Sequence, residues 1–283
     1  MCKKSRLQRI NGLCHAVRRP RKSAKVELSW ALPFLTVRCP SEHFYAQRGC
    51  RHHTLLQRAW PSIRLVQRWL PDRELVFVAD SSFAALEWLA LVARLPHVSV
   101  ITRLRLDAAL YDPPPHRAPG TKGRPRLKGK RRPTLEAVLA DEQTQWSTLT
   151  VDDWYGEGPR EVDVATDTAV WYHTGKPPVA IRWVLIRDPQ KCFKPQALLA
   201  TNLEQTCEQI LAWFVRRWTM EVTWEEARAH LGMETQRQWN DQAIARTTPA
   251  LLSLYSIITL TGPACASAQK PTVSPARKLV AAL

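Results

Sequence analysis

Apolar residues recur at helical spacing between Thr54 and Leu70. Leu56, Trp60, Ile63, Val66 and Leu70 follow the helical period, while Arg58, Arg64 and Arg68 fall elsewhere on the surface. This pattern predicts an amphipathic helix. The run Leu75-Val76-Phe77-Val78-Ala79 then reads as a short buried strand ending at Asp80. Ser81 and Ser82 are suited to cap a helix reaching about Leu95. Val98-Ser99-Val100-Ile101-Thr102 supplies the next strand. Strand, helix and strand at this spacing predict a βαβ unit with parallel strands.

The pattern breaks at residues 112–133, where Pro and Gly punctuate a run carrying Arg117, Lys122, Arg124, Arg126, Lys128, Lys130, Arg131 and Arg132. Such a segment predicts a loop without a packed core of its own. From about 148 to 201 the alternation is β-like, over Glu161–His173, Val179–Arg187 and Ala197–Thr201. Helical periodicity returns near Glu204 and continues, with a break near Gly232, to about Leu260. Residues 1–30 show no clear period, and are expected to be poorly ordered or foreign to the fold. The main domain is expected over 31–262, with a C-terminal tail from 263 to 283.

Composition adds a partner to this outline. Hydrophobic residues make up 45% of the chain and charged residues 23%, as in a globular protein. Forty-one Lys and Arg against 25 Asp and Glu leave a formal charge of +16, which implies a polyanionic partner. Twelve Trp point to a large core, unlike that of a ribosomal or histone-like protein. Seven scattered Cys without a C-x-x-C pair suggest reduced thiols in the cytosol and argue against a zinc site or a disulfide framework. No apolar h-region follows the basic start, so no signal peptide is expected. The longest uncharged run, Thr247–Gln269, contains Pro249, Gly262 and Pro263, and reads as a buried core helix in preference to a membrane span.

The most informative spacing is Phe214, Arg217, Glu221 and Arg228. At about 100° per residue, Arg217, Glu221 and Arg228 lie roughly 60°, 20° and 40° to one side of Phe214, so all four share one stripe. Trp218, Val222 and Trp224 fall on other sides and are expected to anchor the helix. The plainer alternative for Glu221 is an ordinary helix acid paired with Arg217 one turn away.

The spacing F-x2-R-x3-E-x6-R resembles the Y-x2-R-x3-E-x6-K signature of DDE-superfamily insertion-sequence transposases. The surrounding text WFVRRWTMEVTWEEARAHLGMETQRQW and the segment VADSSFA at 78–84 also look like that family. The resemblance, covering about residues 30–262, implies an α/β, ribonuclease-H-like mixed sheet with flanking helices. A β-rich insertion would lie between the second and third catalytic acids. It implies Asp80 as the second acid and Glu221 as the third, together holding metal. It also places Arg217 and Arg228 on DNA phosphate near the scissile end, with Phe214 in the same DNA-binding set. The cofactor would be Mg²⁺ or Mn²⁺ in a two-metal arrangement, with ions about 4 Å apart activating the nucleophile and stabilising the leaving alkoxide. Asp80 also reads as a simple helix-start acid.

The family's first acid should stand upstream of Asp80. Upstream, however, the only Asp is Asp72, in a Pro-Asp-Arg-Glu turn, and Glu27 and Glu42 lack a strand-like setting. The resulting expectation is an N-terminally truncated transposase that binds metal weakly and cuts DNA poorly. Asp188 follows an apolar strand but precedes Pro189, and reads as a turn residue.

The cluster of Lys122, Arg124, Arg126, Lys128, Lys130, Arg131 and Arg132 most simply tracks a DNA backbone, giving affinity without sequence information. The alternative is a solvated loop. His43, His52 and His53 lack ligand-spaced partners and read as surface residues. Expected partners are double-stranded DNA at transposon ends and a second copy of the chain on that DNA, with no membrane. The expected location is the bacterial cytoplasm, at the nucleoid. A second function class fits the same observations: a catalytically inactive DNA-binding protein of the same fold. An RNA-binding accessory role is a third reading that no residue supports.

Overall fold

The computed structural model describes residues 9–19, 28–117, 120, 122–235, 240–266 and 278–282. Two strands come first, β1 (Arg9–Arg19) and β2 (Leu28–Cys39), followed by a short helix α1 (Glu42–Ala46). The amphipathic segment forms α2 (Leu55–Trp69), one residue from the span the periodicity predicts. Thr54 closes a capping box with Gln57, and Pro61 sits inside the helix. Strand β3 (Glu74–Val78) leads through a 3-10 turn, Ser81–Phe83, to α3 (Leu86–Val92) and β4 (Val98–Leu104).

Beyond these come β5 (Leu110–Tyr111), α4 (Leu135–Ala140) and β6 (Ser147–Val151). The β-like stretch forms β7 (Arg160–Trp171), β8 (Val179–Arg187) and β9 (Gln196–Ala200), close to the spans read from its alternation. The helical region divides into α5 (Cys207–Arg216), α6 (Trp218–Leu231) and α7 (Asp241–Ala266), and β10 (Lys278–Ala282) ends the series.

These elements form two compact units, one made of residues up to Leu75 together with those from Arg216, the other of Val76–Val215. In the first, β1 pairs antiparallel with β2 on one side and with β10 on the other. Strand β1 thus occupies residues in which the sequence shows no period. Residues 1–8 and 20–27 of the N-terminal segment, and 267–277 and 283 of the tail, lie outside the described residues. Helices α6 and α7 pack on β2, where the Thr223 hydroxyl donates to Ala31 O at 2.9 Å and Ser256 to Pro33 O at 2.7 Å. Ala227, Met233, Leu252 and Tyr255 make a small core there, with Trp224, Leu231 and Leu251 against it. Gly232 ends α6 in the left-handed region, φ 64°, and so turns Met233 inward.

The second unit is built on a mixed sheet in the order β3-β4-β9-β8-β7-β5, with β6 on β7. Between β3 and β4 the register advances in step: Ala79 N donates to Ile101 O, and the Thr102 hydroxyl donates to Asp80 O. That is the pattern of parallel strands expected of a βαβ unit. From β4 outward the pairing is antiparallel, with Ile101 opposite Ala200 and Leu198 opposite Val184. The β-rich stretch therefore extends the same sheet. Successive residues Val184, Leu185 and Ile186 are all buried, as are Leu198, Leu199 and Ala200, so this part of the sheet is covered on both faces. Mixed sheet and flanking helices are the α/β architecture that the resemblance implies.

Two packing expectations differ from the structure. Helix α7 is not a buried core helix: Leu252 and Tyr255 are buried, but Leu254, Ile257, Ile258 and Leu260 are exposed. Its stretch Asp241–Thr261 is long and apolar enough to cross a membrane by length and composition. On α6, Trp218 and Val222 are exposed, and the buried residues are Thr223 and Ala227. Small side chains are what bring a helix backbone close enough for Thr223 to reach the carbonyl of Ala31 on β2.

Candidate functional site

Asp80 stands where five buried residues end. Leu75 to Ala79 are each at most 1% exposed, and Asp80 is exposed. Its backbone is extended, and its Oδ1 accepts from the Ser82 amide at 2.8 Å and from the Ser82 hydroxyl. Asp80, not Ser81 or Ser82, is therefore the cap, and what it caps is a 3-10 turn. The α-helix proper starts at Leu86, behind Ala85, which provides no side-chain cap, and stops at Val92, short of Leu95. A strand-end carboxylate holding the next turn by one oxygen is a rigid donor. Its carbonyl is fixed from the other side by Thr102, which is fully buried on β4.

The signature helix is interrupted at Arg217. Phe214 belongs to α5, while Arg217 precedes α6. At the junction Met220 N bonds Arg217 O, a three-residue turn, and the Thr219 hydroxyl takes Arg216 O at 2.9 Å. A threonine hydroxyl bonded to a helix carbonyl competes with the regular ladder. Phe214 is 2% exposed in the second unit, with the Arg103 guanidinium 5.6 Å from its ring centroid. Arg217, Glu221 and Arg228 belong to the first unit. Arg217 donates to Glu221 at 3.0 Å, one turn apart, and Arg228 pairs with Glu234 at 2.9 Å. Glu221 thus keeps the cation that the plainer reading assigns to it, and its side chain remains 42% exposed.

The basic loop is pinned at one end. Arg132 donates to Asp112 at 2.6 Å, to Asp167 at 2.7 Å and to the Thr168 carbonyl at 2.8 Å. Burial works against the charge of this guanidinium, but the bonds to Asp112 and Asp167 outweigh it and hold its pKa above the ordinary value. Lys128 Nζ sits 3.6 Å from the Tyr111 ring centroid and 4.3 Å from that of Tyr172, between two rings set edge-on at 6.0 Å. Gly129 N bonds Asp112 O at 2.8 Å, and a Cβ on Gly129 would lie 2.5 Å from Pro113 O. Only glycine permits this approach.

Of the seven loop cations whose spacing predicts phosphate contact, two, Lys128 and Arg132, are engaged by the protein itself. Lys122, Arg124, Arg126, Lys130 and Arg131 are exposed, and no acid pairs with them among the described residues. Sequence reading missed the aromatic clamp, because Tyr111 and Tyr172 lie far apart along the chain.

Asp188 is a turn residue, as expected. It accepts from the amides of Gln190 and Cys192 at 3.0 and 2.9 Å, and from Arg160 at 2.9 Å. His52 and His53 pack edge-on against Tyr45, and His43 meets Gln47. A divalent ion needs converging oxygen donors. Asp80 and Glu221 are donors of that chemistry, one in each unit. Neither unit, among its described residues, groups three His, Cys, Asp or Glu side chains that could hold a metal.

A mixed sheet flanked by helices, with the carboxylate of Asp80 at the end of the buried strand β3, is consistent with a ribonuclease-H-like fold. The chain belongs to the DDE superfamily endonucleases, which it matches over residues 12–178. That span includes Asp80 and the basic loop, and ends before Phe214. Members of this superfamily act on DNA and generally depend on divalent metal. No curated protein matches the chain.

Proposed function

We propose that this chain acts as the transposase of a bacterial insertion sequence: a DDE endonuclease and strand transferase that binds the transposon ends in nucleoid DNA. What carries the reading is the family match through residues 12–178, within which Asp80 ends a buried strand. Asp80 and Glu221 are the proposed metal-holding acids. Oxygen donors suit Mg²⁺ or Mn²⁺, and two acids hold such an ion more weakly than three. Arg217 orients the Glu221 carboxylate through their 3.0 Å bond. The exposed cations of the basic loop follow the phosphate backbone. With two assigned acids, strand cleavage should be slow while duplex binding is retained.

Nicking of supercoiled plasmid in Mg²⁺ or Mn²⁺ tests this. Slow nicking that disappears in Asp80→Ala, with duplex binding intact, is the expected result. Efficient nicking by the unaltered chain would overturn the two-acid reading, and failure to bind duplex DNA would overturn the whole.

A second reading, a DNA-binding protein that performs no chemistry, is favoured by the exposed cations of the basic loop and by the engagement of Glu221 with Arg217. It requires duplex binding with no nicking in either metal.

A further inference from the structure

Between His43 and Pro71 the chain carries five arginines and three histidines, and no acid. The segment folds as α1, a connecting loop and α2, all within the first unit. Its arginines divide into two sets. Arg48 stacks on Phe44 at 3.8 Å and pairs with Asp241, and Arg58 donates to the Tyr45 hydroxyl. These two hold the loop in place, helped by the His52 and His53 rings at 5.6 and 6.3 Å from Tyr45.

Arg51, Arg64 and Arg68 form the other set. All three are exposed, and among the described residues no acid pairs with any of them. Helix α2 buries Ala59, Ser62, Ile63 and Val66. At about 100° per residue, Arg64 and Arg68 point to the opposite side, roughly 40° apart and one turn from each other. The Arg64 guanidinium lies 6.0 Å from the Trp60 ring centroid. Arg51 stands on the loop three residues before the Thr54 cap. Exposed guanidinium groups without an acid partner among the described residues, on a segment whose sequence carries no acid, suit phosphate oxygens, which Arg binds with planar, two-pronged geometry.

We propose that Arg51, Arg64 and Arg68 form a contact surface for the phosphate backbone of duplex DNA, additional to the basic loop. The proposal rests on the DNA-acting function given above, and it assigns affinity to this surface without sequence preference.

The test uses the full chain and a random-sequence duplex of about 30 base pairs, titrated by fluorescence anisotropy between roughly 50 and 200 mM salt. For Arg51→Gln/Arg64→Gln/Arg68→Gln, the plot of log K against log salt should lose about 2–3 units of slope. Affinity at the midpoint salt should fall at least about tenfold. Replacing the same three residues by Lys should restore most of the slope. Unchanged slope and affinity in the Gln variant, with the unaltered chain binding normally, would overturn this surface and leave the DNA-acting function standing. Failure of the unaltered chain to bind duplex would remove both. Patch-dependent binding to phosphatidylserine vesicles in preference to duplex would overturn it in favour of an anionic membrane. Thermal melting by circular dichroism confirms folding. Should the triple variant melt early, the three single variants should each lower the slope by about 1.

Discussion

Arg160 binds Asp188 at 2.9 Å, and the Asp188 side chain is only 1% exposed. The carboxylate also takes two backbone amides of its own turn, so it is solvated by the protein instead of by water. The Arg160 guanidinium in turn lies 5.5 Å from the Phe193 ring centroid and 5.9 Å from that of Trp154, and those two rings stack at 5.0 Å.

This arrangement makes a pH dependence. Burial raises the Asp188 pKa, but the amides of Gln190 and Cys192 and the charge of Arg160 outweigh it and leave it below the ordinary value of 3.8. A depressed carboxyl stabilises the fold fully above its unfolded pKa, and that stability is lost as pH falls through the folded one. Urea midpoints measured down the acid range should therefore decline below about 3.8 in the unaltered protein. In Asp188→Asn that part of the decline should be missing, and the midpoint at neutral pH should be lower.

Arg132 ties the basic loop to β7 through Asp112, Asp167 and the Thr168 carbonyl. Arg132→Ala removes three charge-assisted bonds in a half-exposed setting, and should cost about 1.5–3 kcal/mol in urea unfolding. Arg132→Lys should recover only part of this, because one ammonium cannot reproduce the fork. Limited trypsin digestion should cut within residues 122–131 sooner in both variants.

Gly129→Ala should destabilise the protein by about 1–3 kcal/mol, since its Cβ would meet backbone at Pro113 and the Asp112 side chain. Displacement of the loop at Gly129 would also draw Lys128 away from Tyr111 and Tyr172. A decrease in unfolding midpoint with altered tyrosine fluorescence checks this; an unchanged midpoint would show that the loop yields without cost.

Thiol reactivity should separate the cysteines. Burial pushes the Cys39 thiol up, with Arg58 opposing it, and burial and Glu208 raise Cys207. Cys50 and Cys192 are exposed. Brief iodoacetamide treatment near neutral pH, read by peptide mass spectrometry, should label Cys50 and Cys192 before Cys39 and Cys207.

Local pattern made much of the fold legible. A helical period placed α2, an apolar run placed β3 and its terminal acid, and alternation placed β7 and β8, because each depends on residues within a few positions of one another. The departures have physical causes too. Ser81 and Ser82 resemble helix caps, but the carboxylate before them bonds the turn amide first. Phe214 to Arg228 has one helical period, yet Thr219 competes for a carbonyl and the helix divides at Arg217.

What the sequence determined by itself is therefore the local and the electrostatic part: strand and helix positions, Asp80 at a strand end, a surplus of positive charge and the kinship of the chain. Which of those charges remain available was decided by tertiary structure alone. Lys128 and Arg132 look like their loop neighbours along the chain, and become internal because Tyr172, Asp167 and Thr168 arrive from β7 and the turn that follows it. Arg48 and Arg58 are engaged in the same way by Asp241 and Tyr45, while Arg51, Arg64 and Arg68 are not. A side chain's charge is written in its residue type, but its partners are brought by folding from distant parts of the chain.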